Sequence, residues 1–257
     1  MFAPALLDES ATHAGIATAH SLFNLICTLL LLPMSGLLEK LAYKLIPDGD
    51  KDVKTAELDD RLLVTPAIAL ECAHKLTCEM AEISTGALKS SIECLTEYDK
   101  NKAKKIREIE DKTDRLEDVI GTYLIKISTK QLNENEGTLA SMLLKAIGDF
   151  ERISDHAVNI LESAEEMRDK GIVFSDSAKT EMDSLSAATA EIIETAYLSF
   201  INEDTEKATL VEPLEQVIDR MKELLRTRHI DRLRMSECSI EAGFVWSDLI
   251  TNMERVS

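Results

Sequence analysis

The chain has 257 residues, a formal net charge of −18 and a sequence pI near 4.7. This length can bury a sizeable core without disulfides or structural metals. The strongly negative field repels nucleic acid and anionic lipid surfaces, which argues against a nucleic-acid role. The five cysteines are odd in number and lack C-x-x-C spacing, so they indicate a reducing, cytoplasmic compartment.

Helix-breaking residues are scarce. The sequence holds only 5 prolines and 9 glycines, and no proline occurs between Pro66 and Pro213. A β-protein needs turns far more often than this, so the sequence predicts an all-α protein made of long helices. Abundant Leu, Ile, Ala, Glu and Lys with only 4% aromatic residues also suit helix–helix packing.

The N-terminal segment carries no Asp, Glu, Lys or Arg between Glu9 and Glu39, and its residues 14–38 read AGIATAHSLFNLICTLLLLPMSGLL. A run of this length can span a bilayer, so we predict a membrane helix with His20 and Asn24 on one protein-facing side. A cleaved signal peptide is disfavoured because the first ten residues carry two acids and no base. A buried helix of a soluble bundle stays open, since a proline and a glycine interrupt the run.

This pattern divides the chain into three parts. Residues 1–46 are predicted to hold the membrane segment and an amphipathic extension, LLEKLAYKLIP. Residues 47–62 are polar and begin with proline and glycine, as is typical of a linker. Residues 63–257 are predicted to form a helical domain.

Six helices are predicted in that domain, with approximate ranges 65–97, 99–130, 138–170, 175–202, 205–228 and 237–257. Thr65-Pro66 starts the first helix, NENEG forms a loop before the third, and Gly171 ends the third. Apolar residues recur every three or four positions along the second helix, which indicates a bundle seam. The sixth helix has no stop signal before Ser257, so we interpret the chain as truncated within it.

Two short patterns each occur twice, in the same order. E-x-x-x-D-R stands at Glu110–Arg115 and Glu215–Arg220, and E-R-x-S stands at Glu151–Ser154 and Glu254–Ser257. The two copies lie 105 and 103 residues apart. This order indicates two tandem three-helix repeats, about 63–170 and about 175–257, the second of them incomplete.

The repeated acids form the candidate site. Residues i and i+4 share one face of a helix, so each E-x-x-x-D places two carboxylates side by side, where they repel. A hard, oxygen-preferring cation such as iron, manganese or magnesium relieves that repulsion, whereas simple solvation of the acids is the alternative. The predicted metal ligands are Glu110, Asp114, Glu151, Asp155, Glu215, Asp219 and Glu254.

Other residues beside these motifs receive structural roles. His156 points about 100° away from the predicted metal face, so we expect a structural or supporting role for it. The arginines that follow the motif acids are expected to pair with charges. The Glu-x-x-His pairs of di-metal oxidases, the G-x-S-x-G motif and Walker-type loops are absent from the sequence, so no catalytic residue and no enzymatic activity are predicted.

The pattern ERISDHAVNI, the paired E-x-x-x-D-R elements and the six-helix layout resemble the PhoU family of helical phosphate-signalling regulators. The segments ATAHSLFNLICTLLLLP, LDDRLLVTPAIALE and RHIDRLRMSECSIEAGFVWSDLITNMERVS resemble the C-terminal part of bacterial sodium-dependent phosphate cotransporters. The resemblance implies a PhoU-like bundle of two three-helix repeats, which follows the last membrane helix of a sodium:phosphate symporter.

The resemblance also implies function. The domain would regulate phosphate transport from the cytoplasmic side of the inner membrane and would bind a multinuclear metal cluster, often iron, through the seven acids above. Its partner would be its own or a cognate transporter; a homodimer and phosphate binding are compatible with this. Sodium and phosphate sites for transport would lie in a domain absent from this chain. The alternative is a freestanding PhoU-type adaptor that binds a transporter or sensor kinase.

Overall fold

The structure is a computed structural model that describes residues 13–31 and 58–257. The chain divides into two compact units, residues 1–52 and 53–257. Helix α1 (His13–Leu31) belongs to the first unit, and its large apolar side chains, Leu22, Phe23 and Leu29 among them, are exposed. His20 and Asn24 share one side of α1 as predicted, because Asn24 Nδ2 lies 3.1 Å from His20 Nε2.

The membrane-spanning helix predicted over residues 14–38 is not confirmed. Within residues 13–31 and 58–257, no helix is both long and apolar enough to cross a membrane. Pro33, Gly36 and most of the predicted linker lie outside the described residues.

The second unit consists of helices joined by short connections. A 3₁₀ helix (Asp60–Val64) leads into α2 (Pro66–Thr96), α3 (Lys100–Ser128), α4 (Glu134–Lys170), α5 (Asp176–Ile201), the short α6 (Thr205–Ala208), α7 (Val211–Arg234) and α8 (Ile240–Val256). No strand occurs in the described ranges, which confirms the all-α prediction. The repeat boundaries within the domain stay a prediction.

Local chemistry explains where the helices begin and end. Asn133 accepts a hydrogen bond from the Glu136 amide while the Glu136 carboxylate accepts one from the Asn133 amide, both at 2.9 Å. This capping box satisfies two free amides, so α4 begins at Glu134 and the predicted NENEG loop is wrong. Gly171 ends α4 with a left-handed φ of 63°, as predicted.

The predicted fifth helix is divided in two. The Asp204 side chain caps α6 by accepting a 2.9 Å hydrogen bond from the Lys207 amide, and α6 ends after one turn at Ala208. Pro213 then lies in the first turn of α7, where its missing N–H leaves no hydrogen bond unmade. Helix α7 ends at Arg234, six residues beyond the predicted end.

Two apolar cores hold the second unit together. Helices α2, α3 and α4 pack against one another and bury Leu76, Ile120 and Leu143 in the first core. Helices α5, α7 and α8 pack together and bury Leu185 and Trp246 in the second core, to which the far ends of α2, α3 and α4 also contribute.

Helix α4 contributes to both cores. Ile147 and Phe150 lie in the first core, whereas Ala157, Ile160 and Leu161 lie in the second. The residues between them, from Glu151 to Asp155, stand where α4 passes from one core to the other. Helix α8 packs along this helix, and His156 Nδ1 lies 3.0 Å from Asn252 Oδ1 of α8. His156 therefore has a structural role.

The close packing of α8 against α7 at Gly243 leaves no room for a larger side chain, so we expect a substitution there to lower stability. A Cβ added at Gly243 would lie 2.9 Å from His229 Nε2, and both residues are buried. We expect Gly243→Ala to destabilise the protein by about 1–3 kcal/mol through overpacking, measured by urea unfolding. Gly86→Ala is the control: it is exposed in α2 with nothing within 4 Å of the added Cβ, and it should stabilise the protein by about 0.5–1 kcal/mol. Equal effects of the two substitutions would contradict this account.

Candidate functional site: an acidic face on helices α3 and α4

Five carboxylates from two helices make up the acidic face. Glu110, Asp114 and Glu117 stand at spacings of four and three on α3, so they share one side of that helix. Glu151 and Asp155 stand four residues apart on α4. Glu110, Glu117 and Glu151 are half-buried, and the two aspartates are exposed.

Buried hydroxyl groups fix the two helices together beneath this face. Thr113 Oγ1 and Ser154 Oγ lie 2.5 Å apart, and both residues are fully buried. Each hydroxyl also lies close to a carbonyl of its own helix, Thr113 to Glu110 at 2.9 Å and Ser154 to Glu151 at 2.7 Å. Because these contacts include the backbone of two motif acids, they set the position of the carboxylates as well as the helix register.

The pKa of Glu151 shows how closely these groups approach. It is raised from an ordinary 4.5 to about 7, most of all by burial and then by the charges of Asp155, Glu117 and Asp114. Burial is likewise the main cause that raises the pKa of Glu110, with additional repulsion from Asp111, Asp155 and Asp114. Carboxylates of both helices therefore act on one another.

Positive charges do not neutralise the face. Within residues 13–31 and 58–257, none of its five carboxylates forms an ion pair with Lys or Arg. Arg152, which follows Glu151, lies instead 3.8 Å from the exposed Asp149. This arginine therefore pairs with a charge, as expected, and that charge does not belong to the acidic face.

The second set of predicted ligands has a different electrostatic environment. Glu215 and Asp219 lie on α7, and Glu254 lies on α8. Glu254 Oε2 accepts a 2.7 Å hydrogen bond from Lys222 Nζ, and both side chains are about one quarter exposed. A lysine therefore already neutralises one of the three acids.

The sequence shows where this difference arises, because a fixed separation of 105 residues relates the two copies of the E-x-x-x-D-R pattern. Lys222 stands 105 residues after Glu117, the same separation that relates Glu215 to Glu110 and Asp219 to Asp114. A glutamate in the first copy of the pattern is thus a lysine in the second. Sequence reasoning missed both residues because it compared only the E-x-x-x-D-R letters; extending the comparison by two positions would have found them.

The carboxylates of the acidic face suit a hard cation chemically, since such ions prefer oxygen ligands. As placed, however, no three His, Cys, Asp or Glu side chains of the described residues converge on one point as metal ligands. The side chains shown therefore fit a metal only in part. Metal binding by Glu110, Asp114, Glu151, Asp155, Glu215, Asp219 and Glu254 stays a prediction.

Replacing Glu151 by glutamine tests the acidic face through its pH dependence. A pKa raised from 4.5 to about 7 means that the stability contributed by Glu151 is fully present below pH 4.5 and is lost as the pH rises through 7. Glu151→Gln removes that loss. We expect the variant to exceed the wild type by roughly 1 kcal/mol at pH 8, after allowance for solvent screening, and to match it near pH 4.5.

Glu254→Gln is the matched control, because Glu254 faces Lys222 instead of other acids. It should lower stability at pH 8, by up to about 1 kcal/mol. Denaturant unfolding of both variants between pH 4.5 and 8 provides the measurement. A wild-type advantage over Glu151→Gln at pH 8 would rule out the described repulsion.

Comparison with known proteins shows that both the sequence and the fold resemble PhoU. Residues 77–164, which include the whole acidic face, match the family model of the PhoU domain. The crystal structure of PhoU from Pseudomonas aeruginosa superimposes with a TM-score of 0.68 at 19% identity, covering 73% of this chain and 89% of that chain. PhoU from Streptococcus pneumoniae, a phosphate transport system regulatory protein, gives a TM-score of 0.65 at 14% identity and covers 75% and 89%. The fold is PhoU-like, as predicted.

Two sequence relatives extend the comparison. The phosphate-specific transport system accessory protein PhoU homolog 1 of Thermotoga maritima is 26% identical over 184 residues, which are 69% of this chain and 76% of the relative. YjbB of Escherichia coli, whose name describes inorganic phosphate export, is 22% identical over 249 residues. That match covers 93% of this chain but 45% of YjbB, so the chain spans less than half the length of this relative. Residues 77–164 are thus similar to the PhoU domain, and the chain is similar in sequence to both proteins.

Proposed function

We propose that the chain is a regulatory domain that controls phosphate transport. The observation that carries this proposal is the PhoU domain match over residues 77–164 on a PhoU-like fold. The names of both sequence relatives refer to phosphate transport or export, which supports the same function. Regulation fits the site better than catalysis, since the acidic face is a set of mutually repelling charges whose occupancy can change with a ligand.

The partner in this proposal is a phosphate transporter. The YjbB match covers 93% of the chain, so it includes part of the segment that precedes the helical unit. This extent supports an arrangement in which the domain belongs to a larger transport protein, and a sodium:phosphate symporter is the specific form that the sequence resemblance implies. The match to PhoU homolog 1 supports the freestanding adaptor equally well.

We also propose that a cation binds the acidic face as part of this regulation. Glu110, Asp114, Glu151 and Asp155 would hold it, because their mutual repulsion falls when a positive ion is shared. Iron, manganese or magnesium matches their oxygen donors. Glu254 is a weaker candidate since Lys222 competes for its carboxylate.

The metal content of the full chain tests the cation proposal. After incubation with iron, manganese or magnesium and removal of unbound metal, the wild type and Glu254→Ala should retain metal. Glu151→Ala should bind about tenfold more weakly or worse, because it removes a central charged ligand. Metal analysis by mass spectrometry measures the outcome. Equal, near-zero metal in all three proteins would leave the acids with a structural role alone.

Phosphate uptake in the native cells tests the regulatory function. Deleting the region that encodes residues 58–257 should raise uptake of radiolabelled phosphate when external phosphate is plentiful, because the transporter loses its control. Expressing the full chain from a plasmid should restore the lower rate. Glu110→Gln combined with Glu151→Gln should restore it less well than Lys222→Gln combined with Glu254→Gln. Equal uptake and equal repression with and without the domain would refute the proposal.

A further inference from the structure

A second polar site lies in the other half of the domain, away from the acidic face. A cavity of about 310 Å³ opens between the α4–α5 connection, the end of α7 and the start of α8. Its walls include Phe174, His229, Arg232 and Trp246. We call it the Arg232 cavity.

Arg232 is a buried cation with an unused donor. The residue is 7% exposed, and its Nη1 donates a 2.7 Å hydrogen bond to Glu181 Oε2. Its Nη2 is buried and has no hydrogen-bond partner. A buried donor left unpaired costs about 1–3 kcal/mol, and more for a charged group, so its presence calls for an acceptor.

Trp246 brings a second unused donor to the same cavity. Its indole is 1% exposed, and Nε1 is buried without a partner. The Arg232 guanidinium carbon lies 4.9 Å from the centre of the indole ring, so the two side chains are in contact. Phe174 meets the indole edge-on at 5.3 Å, and His229 stacks on it at 6.0 Å. The indole is therefore held firmly, with its N–H fixed in place.

The charges of the arginines around the Arg232 cavity favour an anionic ligand. Glu181 is shared between Arg232 and Arg228, whose Nη1 lies 3.1 Å from Glu181 Oε1. Two guanidinium groups thus face one carboxylate. The pKa of His229 is lowered by burial and then by Arg232. That shift favours the neutral ring and leaves the excess positive charge on the guanidinium groups.

Both helices that begin at the cavity add to this charge. Ser175 caps the 26-residue α5 and Ser239 caps the 17-residue α8, and both serines line the cavity. The N-terminus of a helix carries partial positive charge. Lys170 lines the cavity but pairs with Glu166 at 2.6 Å, and the exposed carboxylates of Glu237 and Glu241 oppose the positive charge at the rim.

We propose that the Arg232 cavity binds a small oxyanion, with Arg232 Nη2 and Trp246 Nε1 as its hydrogen-bond donors. Phosphate is the oxyanion to test first, a choice that rests on the proposed function. A tetrahedral oxyanion offers two acceptor oxygens at once and also balances the charge of Arg232. A water molecule could satisfy the hydrogen bonds but would add no negative charge to the single carboxylate that Arg228 and Arg232 share.

Trp246 is the only tryptophan of the chain, so its fluorescence reports on this cavity directly. Titration of the full chain with inorganic phosphate should give a saturable change in emission and a matching heat in calorimetry. Sodium chloride at equal ionic strength should give neither. Sulfate and acetate serve as further probes, and saturable binding of either of them supports an oxyanion site defined by charge and N–H donors.

Substitutions distinguish the cavity from the nearby ion pair. Arg232→Gln should weaken binding about tenfold or more, because a charge-assisted hydrogen bond is lost. Arg228→Gln is the comparison variant: it contacts the same Glu181 but does not line the cavity, so it removes a nearby charge without removing a donor and should weaken binding by no more than about threefold. Circular dichroism confirms that both variants fold.

Two further variants keep the test decisive if Arg232→Gln does not fold. Trp246→Phe retains an aromatic ring but removes Nε1–H, so calorimetry should show weaker binding of phosphate. Glu237→Gln combined with Glu241→Gln removes the opposing rim charges and should strengthen it.

Three results would overturn the proposal. These are no saturable change in either fluorescence or heat with any oxyanion, wild-type affinity in Arg232→Gln or Trp246→Phe, and equal loss in Arg228→Gln and Arg232→Gln. Absence of binding together with intact control of phosphate uptake would remove this site and leave the proposed function standing. Oxyanion binding without any effect of the domain on phosphate uptake would support this site and refute the proposed function.

Discussion

The packing of α3 against α4 forces carboxylates of both helices into one another's field. Apolar side chains on either side of Glu151 commit α4 to both cores, so the helix cannot turn its acids outward without exposing one of those cores. The buried Thr113–Ser154 contact then fixes the register. The fold holds the carboxylates close together. A proton or a cation that reduces their repulsion therefore stabilises the folded protein. That property is what makes the acidic face a candidate regulatory site.

The repeated E-x-x-x-D-R pattern stands in two different charge environments, because Lys222 takes the place in the second copy of the pattern that Glu117 has in the first. Glu117 in the first copy adds to the repulsion on Glu151, whereas Lys222 in the second copy pairs with Glu254. The acids around Glu151 therefore repel one another, whereas one acid of the second set is paired with a lysine.

Much of this could be predicted from the sequence. Helical periodicity, Thr65-Pro66 and Gly171 depend on neighbouring residues, so the positions of α2 to α5 followed from local patterns to within a few residues. The capping box at Asn133 and the interruption before Pro213 were also local, but their effects depend on which backbone groups lack partners. The acids that share one side of α3, and those that share one side of α4, were predictable since i and i+4 spacing fixes the face of a helix.

Other features depend on tertiary contacts that no local pattern reveals. The Arg232 cavity joins side chains from α7 and α8 with Phe174 of the α4–α5 connection, and the unpaired donors appear only when the helices are packed. Asn252 of α8 is likewise distant in sequence from its partner His156. For the apolar N-terminal segment, composition suggested a membrane span. No helix of the described residues is long and apolar enough to form one.

Carbon-13 NMR of labelled glutamate side chains offers the most direct test of the converged acidic face. The Glu151 carboxyl carbon should titrate with a pKa of about 7, and replacing Glu117 by glutamine should lower that value because one repelling charge is gone. A Glu151 titration near 4.5, unchanged by the loss of Glu117, would show that the carboxylates of α3 and α4 do not meet and would contradict the account.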